Sequence, residues 1–328
     1  MSIGQAEALA TQALTASGAG EGQARAVARA VVAAHASGRS NVGLAHLPYY
    51  CNALRRGALD GRVEPIIEQA RPGLLTTDAR SGFTHYAFDR AFEQFAGMVE
   101  SQGVAVLTIR NTYTCGCLGF FPERLARRGF AALAVTNAGP AVVAPSGASA
   151  PGFSTNPIAF ALPRDRRPPL LIDQSTSACT LVDVHAARER GDTIPTDWAL
   201  DREGNPTTNP DEALEGTFKP FGGYKGANIA LMVELLAAGL SGGNWSIDAP
   251  SFADHPDCPD VGQWFLAMDL AAMDHPGRRI DEYLDRLASM GAYIPGQDRQ
   301  AHFDNAAARG ITIPDDLFES IQSLCGTT

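Results

Sequence analysis

Several things are missing from this 328-residue chain, and each absence removes a class of protein. Its six cysteines (Cys51, Cys115, Cys117, Cys179, Cys258, Cys325) form no CxxC pair and no Cys/His ligand spacing. Neither a disulfide framework nor a metal centre is therefore expected, and the thiols read as reduced. No apolar run approaches the roughly 18 residues that a membrane span needs, and the N-terminus lacks a basic segment followed by an apolar one. No long lysine- or arginine-rich run offsets a formal net charge of −10, which argues against nucleic acid as a partner. A cytoplasmic protein without a membrane partner is the expectation. Also absent is a strand followed by GxGxxG and a later acidic residue: the cluster Gly18–Gly22 falls between two helical segments and reads as a turn.

What is present is ordinary globular material, 45% hydrophobic and 19% charged, in a chain long enough for a substantial core. Helical periodicity runs over Ile3–Ala16 and Gln23–Ala36, with a shorter helix over Leu47–Arg56. From about Ile66 strands and helices alternate: His85–Glu100 reads as a helix, and Val104–Ile109, Ala131–Thr136, Pro157–Leu162, Pro169–Ile172 and Gly262–Asp269 read as strands. Helices return over Asp281–Met290, Gln300–Arg309 and Asp315–Leu324. The fold class is α+β. An α/β region over 66–278 is expected to bind cofactor and substrate, while a helical region over 1–65 packs with C-terminal helices over 279–328.

The chain is organised around KPFGGYKGANIALMVELLAAGLSGG, Lys219–Gly243. Gly222 and Gly223 permit a tight turn, Tyr224 and Lys225 follow, and the apolar run Ile229–Leu240 reads as a buried helix. Bare amides at a helix start, with a lysine in the first turn, suit a phosphate or pyrophosphate; a surface lysine before a core helix is the plainer account. Three further loops could carry chemistry. Asn111–Gly119, which contains Thr114, Cys115, Gly116, Cys117 and Leu118, suits backbone contact with a ligand, or is simply a strand-to-helix turn. Ser154–Thr155–Asn156–Pro157 offers hydroxyl and amide groups to a carboxylate, or is turn chemistry. Asp173–Gln174–Ser175 precedes Asp183–Val184–His185 on a helix, where a carboxylate near hydroxyls could orient a ribose or relay a proton, or cap the helix.

Taken together, PFGGYKG before an apolar helix, STNPIAFALP, IDQSTSA, IPTDWALDREGNPTTNP and the late IPG resemble the non-Rossmann malate/L-lactate dehydrogenase superfamily, from about Ala6 to Leu324. DVHAARERG and MVELLAAGLSGGNWS are most similar to its Δ1-piperideine-2-carboxylate/Δ1-pyrroline-2-carboxylate reductase branch. The resemblance implies an NAD(P)-binding fold of its own kind, a homodimer, a small-molecule substrate, and NADP or NAD as cofactor with NADPH slightly favoured. It places Thr114, Cys115, Gly116, Cys117, Leu118, Asp173, Gln174, Ser175, Tyr224, Lys225, Ile294, Pro295 and Gly296 at the cofactor. Asn41, His46 and Thr155 fall at the substrate, and Asp183 falls in the proton-handling group.

The chain also departs from the family pattern. Asn41–Val42–Gly43 stands where the family has Ser-His-Gly, so valine replaces the usual proton donor. His46 occupies the place of a substrate-binding arginine, and Thr114–Cys115–Gly116 replaces His-Phe-Gly. A ketone accepting hydride needs a proton or a strong donor for its developing alkoxide, whereas an imine can arrive already protonated. The expected activity is reduction of a small, cyclic 2-imino acid, with Asp183 holding the cationic nitrogen and His46 as carboxylate partner or acid. The alternatives are a 2-hydroxy-acid dehydrogenase that uses His46 as its acid, and a cofactor-binding homologue that has lost catalysis. The remaining histidines, His35, His85, His255, His275 and His302, adopt no ligand spacing and are assigned to surface or core.

Overall fold

The computed structural model describes residues 1–271, 273 and 276–326; His275 and the last two threonines lie outside them. The N-terminal layer is α1 (Ile3–Ala16), α2 (Glu21–Ala36) and α3 (Leu47–Arg56). A Ser2/Gln5 capping box starts α1, and Gly57, at φ 81°, ends α3 in the left-handed conformation that glycine adopts at least cost. The central region follows: β1 (Ile66–Arg71), β2 (Leu74–Gly82), α4 (Thr84–Gln102), β3 (Val104–Thr112), α5 (Phe120–Arg127), β4 (Phe130–Thr136), β5 (Ile158–Leu162) and β6 (Leu170–Gln174). After it come α6 (Leu181–Arg190), the two-residue strands β7 (Ala199–Leu200) and β8 (Pro206–Thr207), α7 (Pro210–Glu215) and β9 (Thr217–Phe218). The chain closes with α8 (Tyr224–Glu234), β10 (Val261–Asp269), α9 (Pro276–Ser289), α10 (Gln297–Arg309) and α11 (Asp315–Leu324).

Seven strands form one sheet in the order β1-β2-β3-β10-β4-β5-β6, and β7, β8 and β9 form a small second one. Only β2 and β3 are parallel neighbours in the large sheet, so its topology is mixed and not doubly wound. Strand direction then decides where the site can be. The C-terminal ends of β3, β4 and β6 and the N-terminal ends of β5 and β10 all fall on one edge, as the pairs Val261↔Thr112, Gln263↔Thr136 and Ile158↔Gln174 show. Every loop singled out above between Asn111 and Ser177 leaves the sheet at that edge.

The N-terminal core joins Leu14, Val31, Leu47 and Tyr50 to Ala306 of α10 and to Ile321 and Leu324 of α11. The helix α9, expected in the same layer, packs elsewhere. Ile280, Leu284 and Leu287 sit on Leu162, Leu170 and Ile294 at the β5–β6 side of the sheet. A nearly buried Arg164–Asp281 ion pair of 2.5 Å fastens α9 to the proline-rich β5–β6 connection.

The expected buried helix over Ile229–Leu240 is also different. The helix starts earlier, at Tyr224, and widens into a π-turn over Leu235–Gly239. Ala230, Val233, Ala237 and Ala238 are buried, whereas Leu231, Met232, Leu235 and Leu240 are exposed. An apolar run all round a helix cannot reveal which side meets its own core and which side stays uncovered.

Candidate functional site

His46 caps the start of α3, and Tyr50 lies on the same side one turn later. The His46 Nε2 is 3.3 Å from the Thr114 hydroxyl, and the Tyr50 hydroxyl donates to the Thr114 carbonyl at 3.2 Å. Tyr49, Tyr50 and Phe252 surround the imidazole, with ring centroids 4.9 to 5.8 Å away. Although His46 keeps partial exposure, this desolvating shell lowers its pKa to about 4, so the ring is neutral near pH 7. A side chain on Gly116, whose φ is +62°, would lie 3.2 Å from the Tyr50 hydroxyl and 3.3 Å from the Val42 carbonyl. The N-terminal layer and the loop after β3 thus meet around Val42, His46 and Thr114.

Three residues further on, Cys117 faces the end of β6. Its thiol donates to Asp173 at 3.4 Å, and burial with the neighbouring carboxylate pushes its pKa up to about 12. Arg299, in the first turn of α10, meets the same carboxylate oxygen at 2.9 Å; both side chains are at most 13% exposed. Gly119 completes the packing, since a Cβ there would lie 2.8 Å from the Asp173 oxygen. A cavity of about 260 Å³ opens beside this cluster, lined among others by Ser37, Cys117, Phe120, Arg124, Gly296 and Arg299. Replacing Asp173 with alanine would leave the Arg299 charge buried without a counter-charge. The expected cost is about 3 kcal/mol in urea unfolding, whereas Asp173→Ala combined with Arg299→Met, which leaves neither charge buried alone, should cost less.

The third group is built on Thr155. Its carbonyl accepts the Ser175 hydroxyl at 3.0 Å and the Thr176 amide at 2.9 Å. The Thr176 carbonyl in turn accepts the Phe221 amide at 3.0 Å, which ties the Thr155 loop to the glycine turn before α8. Gly222 and Gly223 have φ of 58° and 66°, and a Cβ on Gly226 would lie 1.8 Å from the Phe221 carbonyl oxygen. Gly223 caps α8 without a side-chain hydrogen bond, so the first-turn amides stay open beside the exposed Lys225.

The structure therefore links His46, Thr114, Gly116, Cys117, Asp173, Ser175, Thr155 and the Tyr224–Lys225 turn through successive contacts along one edge of the sheet. Other expected site residues stand differently. Leu118 and Ile294 are core side chains, packed in the central and α9 clusters, so a ligand could reach only their backbone. Cys115 is buried as well, and burial pushes its thiol pKa far up. Asn41 is exposed on a short 3₁₀ turn over Ser40–Val42. Gln174 is exposed at the end of β6, and Gly296, at φ 88°, caps α10 directly after Pro295. Asp183 is exposed and caps its own helix, its Oδ2 accepting the Thr180 amide and hydroxyl at 2.8 and 2.7 Å.

Two participants escaped the sequence reading: Arg299 and Tyr50. Arg299 follows Gly296 by less than one helical turn, and Tyr50 follows His46 by one, so helical spacing from residues already singled out would have found both. Among the described residues no group of three or more His, Cys, Asp or Glu is placed to hold a metal ion, and no helix is long and apolar enough to cross a membrane.

The family model described as malate/L-lactate dehydrogenase matches residues 1–322. A (2R)-3-sulfolactate dehydrogenase (NADP(+)) of Chromohalobacter salexigens is 38% identical over 98% of this chain and 97% of its own. A Δ1-pyrroline-2-carboxylate/Δ1-piperideine-2-carboxylate reductase of Pseudomonas syringae pv. tomato is 36% identical over 89% of this chain and 87% of its own. The crystal structure of Δ1-piperideine-2-carboxylate reductase from that organism superposes with a TM-score of 0.94 at 33% identity, covering 99% of both chains.

Proposed function

Because the chain belongs to the malate/L-lactate dehydrogenase family, we propose that it is an NAD(P)H-dependent reductase of a small, cyclic 2-imino acid. The observation that carries this reading is the pair Val42 and His46. By the resemblance, valine stands at the family's proton-donor position, and the His46 imidazole, its pKa lowered to about 4 by burial, carries no imidazolium proton near pH 7. An iminium substrate brings its own proton, so hydride addition yields a neutral amine without an acid on the enzyme.

The residues fit a dinucleotide. Gly222 and Gly223, at positive φ, turn the chain so that the first amides of α8 lack side-chain partners, a Cβ on Gly226 would collide with the Phe221 carbonyl, and Lys225 adds a positive charge for a pyrophosphate. When bound, the nicotinamide supplies the hydride. Backbone groups of Thr114–Leu118, Asp173–Ser175 and Ile294–Gly296 would hold the cofactor, with NADPH the favoured form. The Thr155 hydroxyl, with Asn41 and neutral His46 as hydrogen-bond partners, would orient the substrate carboxylate. Asp183 would hold the cationic nitrogen directly or through water, through Oδ1, which has no hydrogen-bond partner among the described residues.

A second reading, a 2-hydroxy-acid dehydrogenase, is favoured by the sulfolactate dehydrogenase relative and would use the neutral His46 N–H as donor. Following NADPH and NADH absorbance with piperideine-2-carboxylate, pyrroline-2-carboxylate, pyruvate, oxaloacetate and sulfopyruvate separates the two. Imine reduction whose kcat/KM rises as the imine protonates supports the first reading. A preference for the keto acids overturns it, and silence with all five while cofactor still binds points to a homologue without catalysis.

We propose a homodimer in the cytoplasm; the dimer is supported by the uncovered face of α8 and the residues after it: Leu231, Met232, Leu235, Leu240, Trp245 and Ile247. Leu235→Asp should shift the sedimentation of the protein from dimer to monomer while its circular dichroism is retained. A wild-type chain that sediments as a monomer would remove this assignment.

A further inference from the structure

Glu234 is the last residue of α8, immediately before the π-turn, and only 4% of it is exposed. It forms no salt bridge among the described residues. Instead its carboxylate accepts hydrogen bonds from neutral donors: the Ser246 amide at 2.6 Å on Oε1, and the Ser246 hydroxyl and the Asn156 side-chain amide, each at 2.8 Å, on Oε2. Asn156 also donates to the Ala230 carbonyl at 3.0 Å, so its one NH₂ group bridges two successive turns of α8. A buried carboxylate costs folding free energy unless its hydrogen bonds are complete; Ser246 supplies two of them here, and the third comes from Asn156 on another loop.

That loop is the Thr155 turn. Asn156 has φ +36°, a left-handed conformation that asparagine tolerates better than most residues, and it lies between Thr155 and Pro157. On its other side the turn is fixed by Thr176, whose hydroxyl donates to the Thr155 and Asn156 carbonyls, both at 3.0 Å. The Thr155 turn and α8 are therefore joined at two places. Thr176 meets Phe221 before the helix begins, and Asn156 meets Glu234 where it ends. Because α8 is a rigid rod between them, the distance from Lys225 to Thr155 is set at both ends.

We propose that Glu234 is a positioning residue, acting through Asn156 to keep the substrate-facing Thr155 turn in register with the cofactor-facing Lys225 end of α8. The inference rests on the function proposed above for the assignment of those two ends, although the mechanical link is independent of it. Glu234→Gln keeps the shape but turns an NH₂ toward donors, which breaks the link to Asn156. Asn156→Asp sets one carboxylate against another. Combining the two restores a donor opposite an acceptor with the polarity reversed.

Steady-state kinetics and amide hydrogen exchange on the whole protein test this. Glu234→Gln should lower kcat/KM for the cyclic imino acid by about 100-fold, mainly in kcat, because small misplacements are costly at a reacting centre. The dissociation constant of NADPH should stay close to that of wild type. Exchange of the Thr176 amide should accelerate about tenfold while α4 amides keep their protection, which is a local and not a global opening. The double variant should recover part of both losses. Unchanged kcat/KM and unchanged Thr176 exchange in Glu234→Gln, or uniform loss of protection with no recovery in the double variant, would overturn the proposal. If wild type reduces none of the acceptors, the functional reading fails by itself, and Thr176 exchange still decides the positioning role.

Discussion

Below about pH 6.5 the protein should lose stability steeply, because two histidines are folded into places where they cannot take a proton. His85 is 1% exposed against Phe121 and Tyr50, and desolvation, outweighing the Cys115 backbone contact, lowers its pKa to about 3. His46 is lowered to about 4 by the same cause. As pH falls past the ordinary histidine value, the unfolded chain binds two protons that the folded chain refuses, so the equilibrium moves toward unfolding until the folded values are reached. By about pH 4 each histidine contributes roughly 3 kcal/mol of this loss, and the sum is comparable with the whole stability of a typical domain. His85→Met, which keeps a polarisable apolar side chain among the aromatic rings, should remove about half of the decline in a series of thermal midpoints from pH 7 to pH 4. An unaltered pH dependence in that variant would place the acid sensitivity elsewhere.

The second large effect is a gain. Val42→His should raise kcat/KM for 2-keto acids by about 100-fold at neutral pH, the lower range of what a positioned general acid contributes. The residue lies on the short 3₁₀ turn over Ser40–Val42, and its carbonyl approaches the Gly116 position of the loop after β3. Reduction of cyclic imino acids should change little, because their proton travels with the substrate. A variant that binds NADPH normally yet gains nothing on pyruvate, oxaloacetate or sulfopyruvate would show that the missing histidine is not what separates the two chemistries here.

The parts of the molecule that could be read from sequence are those whose signal is local. The helices Ile3–Ala16, Leu47–Arg56 and Asp315–Leu324 follow their apolar spacing residue for residue, and the strand cores over Val104–Ile109 and Ala131–Thr136 lie within β3 and β4. What could not be read depends on partners distant in the chain. The destination of α9 is set by Leu162, Leu170 and the Arg164–Asp281 pair, none of which alters its own periodicity. The small sheet of β7, β8 and β9 has strands of two residues, below the length at which alternation is visible. Within the site, Lys225 and Thr155 stand out because glycine and hydroxyl clusters are conspicuous in loops. Glu234, by contrast, looks like one more helical glutamate, and only the position of Asn156 and Ser246 around it gives it a task.

The place of β10 has a consequence for biogenesis. It follows every other strand among the described residues, yet it lies between β3 and β4, pairing Phe265 with Leu107 on one side and Ala134 on the other. Until the ribosome has passed Asp269, the two halves of the sheet cannot join, and each presents an open apolar edge. Closure waits for contacts that span well over a hundred residues, so the nascent chain passes through a long sticky interval in which chaperone capture competes with aggregation. A nonsense mutation anywhere before Val261 would therefore be expected to yield insoluble protein instead of a shortened soluble one.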